Sequence, residues 1–467
     1  MQTKGKMHIV YQCMVAASIG MNGLVASMAM GYTSPALPSM KQEVHFSITE
    51  DDESWIGSVM PASALIGSLL AGPLLDTFGR RRTFMYLTIP FMISWGIIAN
   101  AGGVRGVILG RFVSGACVGV QAVGGSVLMP EMAQLDLRKV LVMFPALLGN
   151  LGILVSYAAG QYLSWRGLAW LGCALCLPQL ILLLPLPETP FYLTQSGKRS
   201  SSLAALKKLR QTPELAEREQ KELDTSYESR KDKDSKKKKV SLLDLTKPPN
   251  LWPVSVGAGL MVAQQTTGLN AVIFYASSIF EAGGDFMDAR TSTTLLGLVN
   301  FLKVFVGLYC IARYHRRQLI MVSTTALCVS LSVLSAFFWA QKLGGPFLAF
   351  SKKIAFMPVL ALLCYMGSIP LGWGPVPWVF LSEGTPRSIR GTAAAFIVTV
   401  SWGSAFVVTN TFKWSVTSLG IHYVFLGYAL VTAISGILLY RTMPETFEMS
   451  SAQMEKLYRS EYKMKDE

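Results

Sequence analysis

The sequence predicts an all-α membrane protein with twelve transmembrane helices, arranged as two six-helix halves with a cytoplasmic helical linker between them. Hydrophobic residues make up 51% of the 467 positions and charged residues only 15%, which is too apolar for an ordinary soluble protein. Apolar runs of about 20 residues, the length that crosses ~30 Å of hydrocarbon, recur along the chain. Short motifs of the first half also return at corresponding places in the second half.

Twelve apolar runs account for the predicted spans. The first six cover roughly 8–30, 55–75, 84–101, 106–129, 140–163 and 168–186. The second six cover roughly 251–281, 292–312, 318–340, 354–382, 391–412 and 422–440.

We predict a multi-pass protein of the cell membrane, and the distribution of basic residues indicates that both termini lie in the cytoplasm. In that orientation 32 of the 42 lysines and arginines lie inside and 8 lie outside, as the positive-inside rule requires. The excess remains 17 against 8 without the 15 basic residues of the central loop. The net charge of +14 is therefore explained by topology, and we expect no nucleic-acid partner.

One long hydrophilic segment divides the chain. We predict a first half at 1–192, a linker with short helices at 193–249, a second half at 250–443 and a cytoplasmic tail at 444–467. The basic run at 230–239 in the linker either binds anionic lipid headgroups or is a solvated loop.

The halves repeat each other. Glu131 precedes Arg138 by seven positions, and Glu383 precedes Arg390 by the same seven. Two further pairs are Pro187-Glu188-Thr189-Pro190 with Pro444-Glu445-Thr446-Phe447, and Gly79-Arg80-Arg81-Arg82 with His315-Arg316-Arg317. Duplicated halves with a site between them near the midplane are typical of alternating-access carriers.

A polar stretch interrupts span seven. It runs from Gln264 to Tyr275 and contains three carboxamides and two threonine hydroxyls. Unpaired amides in hydrocarbon cost several kcal/mol, so these side chains should face a polar cavity that suits a neutral polyhydroxylated ligand. The alternative is that the amides only bond neighbouring helices together.

Charged residues at the cytoplasmic helix ends predict a gate, because arginine binds carboxylates in bidentate fashion. Its predicted members are Asp76, Arg80, Arg81, Arg111, Glu131, Arg138, Glu188, Glu383, Arg390 and Glu445. Such pairs would tie adjacent helices together while the cavity opens outward and would separate when it opens inward. The alternative is that the arginines only anchor the topology.

Together these motifs resemble the sugar porter family of the major facilitator superfamily, over essentially the whole chain. The residues that carry the resemblance are Gly72-x-x-x-Asp76-x-x-Gly79-Arg80-Arg81, Pro187-Glu188-Thr189-Pro190, Gln264-Gln265-x-x-Gly268-x-Asn270, Gly374-Pro375-x-Pro377-Trp378 and Pro444-Glu445-Thr446. Within the family the chain is most similar to insect facilitated trehalose transporters, through segments 31–38, 53–58 and 149–155.

The resemblance implies the major facilitator fold and a sugar site. Positions that match the family's sugar-binding amides are Gln264, Gln265, Asn270 and Asn300, and those that match its tryptophans beside the sugar are Trp378 and Trp402. An indole face covers the C–H face of a sugar ring while amides bond its hydroxyls.

Several positions depart from the family pattern. They are Lys139, Ala146, Phe191, Ala312, His315 and Ser401. Ala312 and His315 replace an acid and a glycine, so we expect the second-half loop to have lost part of its ion pairing.

Two residues bear on the substrate and its energy source. Lys303 follows Asn300 by three positions in span eight, and a charge there should face a cavity, although a lysine that snorkels along lipid is the alternative. Thr33 stands where proton-symporting relatives carry an aspartate, and a hydroxyl cannot titrate near neutral pH. We therefore expect transport without proton coupling.

The sequence has no signature of an enzyme, a metal site or a cofactor site. Cys173 and Cys176 lie in an apolar run, the four histidines are scattered and no phosphate-binding loop is present. The main hypothesis is a monomeric facilitative transporter for a small neutral sugar, either trehalose or a hexose. The alternatives are a proton-coupled carrier of another small organic solute and a sugar sensor that does not transport.

Overall fold

The computed structural model describes residues 7–43, 46–134, 141, 143–234, 242–284, 286–386, 389–447, 449, 453–454 and 457–458. These residues form α-helices and short 3-10 turns, with no β-strand among them. The first half consists of α1 (Met7–Gly31), α2 (Thr33–Lys41), α3 (Glu50–Phe78), α4 (Arg80–Ala99), α5 (Val104–Met132), α6 (Met143–Ala159) and α7 (Trp165–Leu183).

The linker and the second half are also built from helices. The linker helices are α8 (Pro190–Gln195), α9 (Arg199–Leu209) and α10 (Pro213–Asp234). The second half consists of α11 (Pro248–Thr266), α12 (Leu269–Gly283), α13 (Ala289–Arg313), α14 (Arg316–Leu343), α15 (Gly345–Lys353), α16 (Met357–Ser368), α17 (Val376–Glu383), α18 (Arg390–Leu419) and α19 (Ile421–Thr442).

Helices cover all twelve predicted spans. Ten of these stretches within the described residues are long and apolar enough to cross a membrane, counting α16 and α17 as one. The fifth span is the shorter α6, with 17 residues. The seventh span is divided between α11 and α12, because its polar stretch breaks the helix.

Close helix packing builds each half, and several helix pairs join the halves. In the first half α3 lies against α5, and a Cβ on Gly67 or Gly119 would overlap a backbone carbonyl of the other helix. Glycine is needed at such contacts because the backbones approach so closely. Between the halves α3 packs on α18, and α6 packs on α13.

The linker helices dock on the first half. The side chain of Arg210 donates to the carbonyl of Met132 at 2.9 Å and forms an ion pair with Glu219. Gln12 of α1 donates to the carbonyl of Leu209 at 2.7 Å. We call this end of the bundle the linker side and the opposite end, where α2 ends and α3 begins, the far side.

Candidate functional site

The site is organised by the break between α11 and α12. Gly268 has φ of +87°, in the left-handed region that favours glycine. An added Cβ would also lie 2.6 Å from the ring of Tyr428. The left-handed turn separates α11 from α12, and the amides on both sides of it, Gln264, Gln265 and Asn270, are buried.

A chain of amides crosses this break. Asn270 donates to the Oε1 atom of Gln265 at 2.7 Å, and Gln265 in turn donates to the Ser401 hydroxyl at 3.2 Å. A carboxamide has two N–H donors and an acceptor with two lone pairs. These contacts therefore leave donors and acceptors of Gln265 and Asn270 for a ligand.

Gln264 has a different set of partners. Its Nε2 atom donates to the carbonyls of Trp373 and Gly374 at 2.6 and 3.2 Å. These carbonyls belong to the segment 372–375, where the chain between α16 and α17 leaves the helix. Gln264 thus satisfies carbonyls that the broken helix leaves free, which is the bonding role that the sequence left open as an alternative.

The two tryptophans differ in their surroundings. Trp402 is half-buried beside Ser401, and its indole Nε1 is buried without a hydrogen-bond acceptor among the described residues. Trp378, on α17, has 42% of its surface exposed. Trp402 therefore has a free donor, whereas Trp378 offers an exposed ring face.

Asn300 links the site to the other half. Its Nδ2 atom donates to the Oδ1 atom of Asn150 on α6 at 3.3 Å. The sequence reasoning missed Asn150 as a member of the site and named Ser401 only as a departure from the family pattern. Asn150 had a detectable signal, because it is an amide within an apolar run, but its partner is 150 positions away.

Lys303 lies on α13 at the contact with α16. It is half-buried, and its Nζ atom is 3.2 Å from the sulfur of Met366. Within the described part of the chain no carboxylate forms an ion pair with it. A thioether is a weak acceptor, so the ammonium group has bonding capacity left.

The linker side of the first half carries a compact charge cluster. Arg80 pairs with Asp76 and Glu131, both at 3.3 Å. Glu188 accepts from the backbone N–H groups of Arg81 and Arg82 at 2.8 and 3.1 Å. The Arg80 guanidinium also lies 5.5 Å from the ring centre of Phe191, a residue that departs from the family pattern.

The second half repeats this cluster. Arg316 pairs with Glu383 at 3.3 Å, and Glu445 accepts from the backbone N–H groups of Arg316 and Arg317 at 3.0 and 3.2 Å. The Arg316 guanidinium lies 5.0 Å from the ring centre of Phe447. In the first half Asp76 is a second carboxylate partner of the arginine, and Ala312 stands at the corresponding position of the second half. The second half has therefore lost that one ion pair and keeps the others.

The surroundings of Glu445 favour its charged form. Burial alone raises the pKa of this carboxyl. The backbone N–H groups of Phe447, Arg316, Arg317 and Thr446 outweigh that effect and hold the pKa below its usual value. The tail is thus fixed to the turn before α14 by an ionised side chain.

Arg111 does not belong to the linker-side charges, and its placement there was wrong. It lies in the far-side part of α5, fully buried, and donates to the carbonyls of Ala29 and Ile56. Glu131 is 20 positions further along the same helix, which corresponds to about 30 Å. Arg138 lies outside the described residues, and of Arg390 only the backbone, at the start of α18, is described.

The far side of the bundle is closed between the halves. Ser34 and Ser277 share a hydrogen bond of 3.1 Å, the Tyr157 hydroxyl donates to the carbonyl of Ile273 at 2.6 Å, and Lys413 pairs with Glu53 at 3.1 Å. Every ion pair described on the linker side, in contrast, stays within one half or within the linker. Among the described residues, hydrogen bonds and an ion pair between the halves therefore close the far side.

The sequence as a whole matches a known family. The family model described as "Sugar (and other) transporter" matches residues 13–458. This chain belongs to that family of transporters. Its members carry solutes across membranes, so this transporter is not an enzyme.

Relatives and solved structures agree with this membership. The transporter is 37% identical over 447 residues to the "Facilitated trehalose transporter Tret1-2 homolog" of Drosophila simulans, covering 95% of this chain and 90% of that protein. It is 34% identical over 456 residues to the "Facilitated trehalose transporter Tret1" of Anopheles gambiae, covering 97% of this chain and 57% of that longer protein.

Solved structures of the xylose transporter XylE from E. coli confirm the major facilitator fold. The partially occluded inward-open structure has a TM-score of 0.77 at 20% identity and covers 94% of this chain and 100% of its own. The structure bound to 6-bromo-6-deoxy-D-glucose has a TM-score of 0.76 at 22% identity, over 97% and 100% of the two chains.

Proposed function

We propose that this protein is a facilitative sugar transporter that carries trehalose or a hexose by alternating access. The observation that carries the proposal is the buried pair Gln265 and Asn270, which has unused donors and acceptors, together with the indole N–H of Trp402 next to Ser401. Hydroxyl-rich ligands satisfy such groups. The insect relatives named as facilitated trehalose transporters support the choice of sugar.

Each site residue has a proposed role. Gln265 and Asn270 bond sugar hydroxyls, and Asn300 does so beside Asn150 of the opposite half. Trp402 supplies its free N–H and Trp378 its exposed ring. Gln264 supports the broken segment 372–375, and Lys303 reaches the edge of the same cavity.

Two charge clusters form the proposed cytoplasmic gate. In each half an arginine pairs with a carboxylate of a neighbouring helix, and a second carboxylate binds the backbone of the arginine turn. These pairs keep each half rigid, so that the halves can move as units. We place the linker side in the cytoplasm of a cell-membrane protein, supported by the 32 against 8 distribution of basic residues, and we propose that one chain in the bilayer is sufficient.

The surroundings of Arg111 support transport without proton coupling. Among the described residues its guanidinium contacts two carbonyls and lies near the rings of Tyr32 and Phe274, and no carboxylate pairs with it. Thr33 follows Tyr32 where an acid would be needed. Without a titratable partner at this place, a proton has no site from which to be released in each cycle.

The test is uptake by the purified full chain in proteoliposomes. We expect labelled trehalose, glucose or xylose to equilibrate across the membrane faster than in protein-free liposomes, with the other sugars of the panel as competitors. An inward proton gradient should not drive accumulation above equilibrium. Uptake of none of these sugars would contradict the proposed function, and gradient-driven accumulation would favour the proton-coupled alternative.

A further inference from the structure

We propose that Glu53 and Lys413 form a charged latch on the far side, which holds the two halves together whenever the site opens to the linker side. This inference deepens the proposed function, because it concerns how access to the same site is controlled. Glu53 lies on α3 of the first half, and Lys413 lies on α18 of the second. Their Nζ and Oε2 atoms are 3.1 Å apart.

The carboxylate of Glu53 is unusual for its depth. Its side chain is only 4% exposed, whereas Asp51 in the same first turn of α3 is exposed. A buried carboxylate without a partner is strongly destabilising, so Glu53 can stay at this depth only while lysines neutralise it. Lys41 of the same half binds its other oxygen at 2.6 Å.

The two lysines have different mechanical roles. Lys41 and Glu53 both belong to the first half and move together, so this pair holds the carboxylate in place. Lys413 belongs to the second half, and its side chain is 22% exposed. Separating the halves on the far side removes Lys413 from Glu53 and lets water reach both groups.

The second half also forms a hydrogen bond with the backbone of Glu53. The hydroxyl of Tyr275 donates to the Glu53 carbonyl at 3.3 Å, and its ring stacks on Phe412 at 5.1 Å between centres. Tyr275 has a non-helical conformation within α12, with φ of −116° and ψ of 19°. The bend in α12 therefore places Tyr275 against Glu53. Residues of both α12 and α18 contact Glu53 in the far-side-closed state.

A latch of this kind shifts the population of states. It stabilises the far-side-closed conformation only, because Lys413 reaches Glu53 only there, and such a difference changes the equilibrium between the two conformations. Weakening it should raise the far-side-open fraction about threefold to tenfold, the range expected for a partly buried ion pair. External sugar should then bind at lower concentrations, and internal sugar at higher ones.

The test uses the full chain in nanodiscs, where both sides are accessible and no transport is required. Ser277→Cys places a thiol in the closed seam, where Ser277 is 3% exposed, and mass spectrometry follows its reaction with a small maleimide. We expect Glu53→Gln in this background to react about threefold to tenfold faster and Lys413→Gln to react faster by a smaller factor, because Lys41 still holds Glu53. The double variant should gain less than the product of the two.

Two controls separate a latch from general destabilisation. Asp51→Asn removes an exposed acid of the same helix and should leave the rate unchanged. The native Cys117, which is 3% exposed in the core of the first half, should stay unreactive in every variant. Equal labelling rates at position 277 in Glu53→Gln, Lys413→Gln and the Ser277→Cys reference would overturn the latch. A faster reaction at position 277 accompanied by a faster reaction at Cys117 would also overturn it, because it would indicate general destabilisation.

Transport kinetics provide a separate readout. Glu53→Gln should lower the KM for external sugar relative to the KM for efflux, while Asp51→Asn changes neither. If no variant carries sugar, the proposed function fails while the labelling result still decides the latch. An unchanged ratio of the two KM values in a protein that does carry sugar would contradict the latch itself.

Discussion

Single residues within the amide cluster differ in what they have left to offer a ligand. Gln264 donates its amide hydrogens to the carbonyls of Trp373 and Gly374. Gln265 donates one amide hydrogen to the Ser401 hydroxyl, and its other amide hydrogen can still bond a ligand. Adjacent glutamines of the same type therefore separate into a supporting residue and a ligand-binding residue.

We predict that Gln265→Leu weakens sugar transport. The loss of one or two hydrogen bonds to the sugar costs ~1 to 3 kcal/mol and should lower kcat/KM accordingly. Thr266→Val is the matched control, since the Thr266 hydroxyl bonds only to the carbonyl of Ala263 in its own helix. Initial uptake at subsaturating sugar, corrected for the amount of protein in the membrane, measures the effect. Equal uptake by the two variants would contradict a role for Gln265 in binding.

We predict that Lys303 lies within reach of the cavity. A Lys303→Cys thiol should react with water-borne reagents, and bound sugar should slow that reaction, whereas Phe305→Cys on the exposed face of α13 should not react. Lys303→Ser should change the order of preference among sugars, because an ammonium group can donate to hydroxyls. If Lys303→Cys behaves like Phe305→Cys and Lys303→Ser keeps the substrate order, the lysine lies along lipid.

Single positions also show where the sequence was insufficient. Gln265 and Asn270 were proposed because polar groups inside apolar runs are costly unless they have a purpose, and Trp402 was proposed because the family resemblance implied it. Arg111 was misplaced because its charge suggested a role that its depth along α5 contradicts. Glu53 and Lys413 were missed because 360 positions separate them, and each alone resembles an ordinary residue at a helix end.

At the scale of elements, the breaks in the helices decide where the site forms. The sequence places two glycines and two prolines in 372–377, and the structure has irregular backbone at 372–375. It treated span seven as one helix, although the structure divides it at Gly268. Hydropathy alone did not show this division, because apolar runs lie before Gln264 and after Asn270 and read as one span.

We predict that Gly268→Ala is destabilising and impairs transport. A left-handed conformation costs roughly 1 kcal/mol in a residue with a Cβ, and the added atom would press on the ring of Tyr428. Gly259→Ala in α11 is the control, because its added Cβ meets only Leu439 at 3.8 Å. Thermal unfolding in detergent should give a lower Tm for Gly268→Ala than for Gly259→Ala. The same Tm and the same uptake for both would show that the turn tolerates a side chain.

At the scale of the whole molecule, each half keeps its own linker-side ion pairs, and the ion pair described between the halves, Lys413 with Glu53, lies on the far side. The duplication was visible in the sequence, and the structure shows why it persists: each arginine turn is bound by carboxylates of its own half. The state of the molecule, closed on one side, was not predictable, because one sequence must be compatible with both states.

We predict that a disulfide between Ser34→Cys and Ser277→Cys stops transport. The two hydroxyls are 3.1 Å apart across the seam, close enough for a disulfide without a large backbone shift. Oxidation should fix the far side shut, and a reductant should restore uptake. Each single variant, treated with the same oxidant, is the control. Continued transport with the cross-link formed would mean that the far side need not open.

The contact of Gln264 with Trp373 and Gly374 has a mechanical consequence. This one side chain connects the break between α11 and α12 to the break between α16 and α17. Because this side chain bonds across both helix breaks, we expect that neither break can bend without the other. The first half has no equivalent coupling among the contacts described. We therefore expect the two helix breaks of the second half to bend together when this transporter changes conformation.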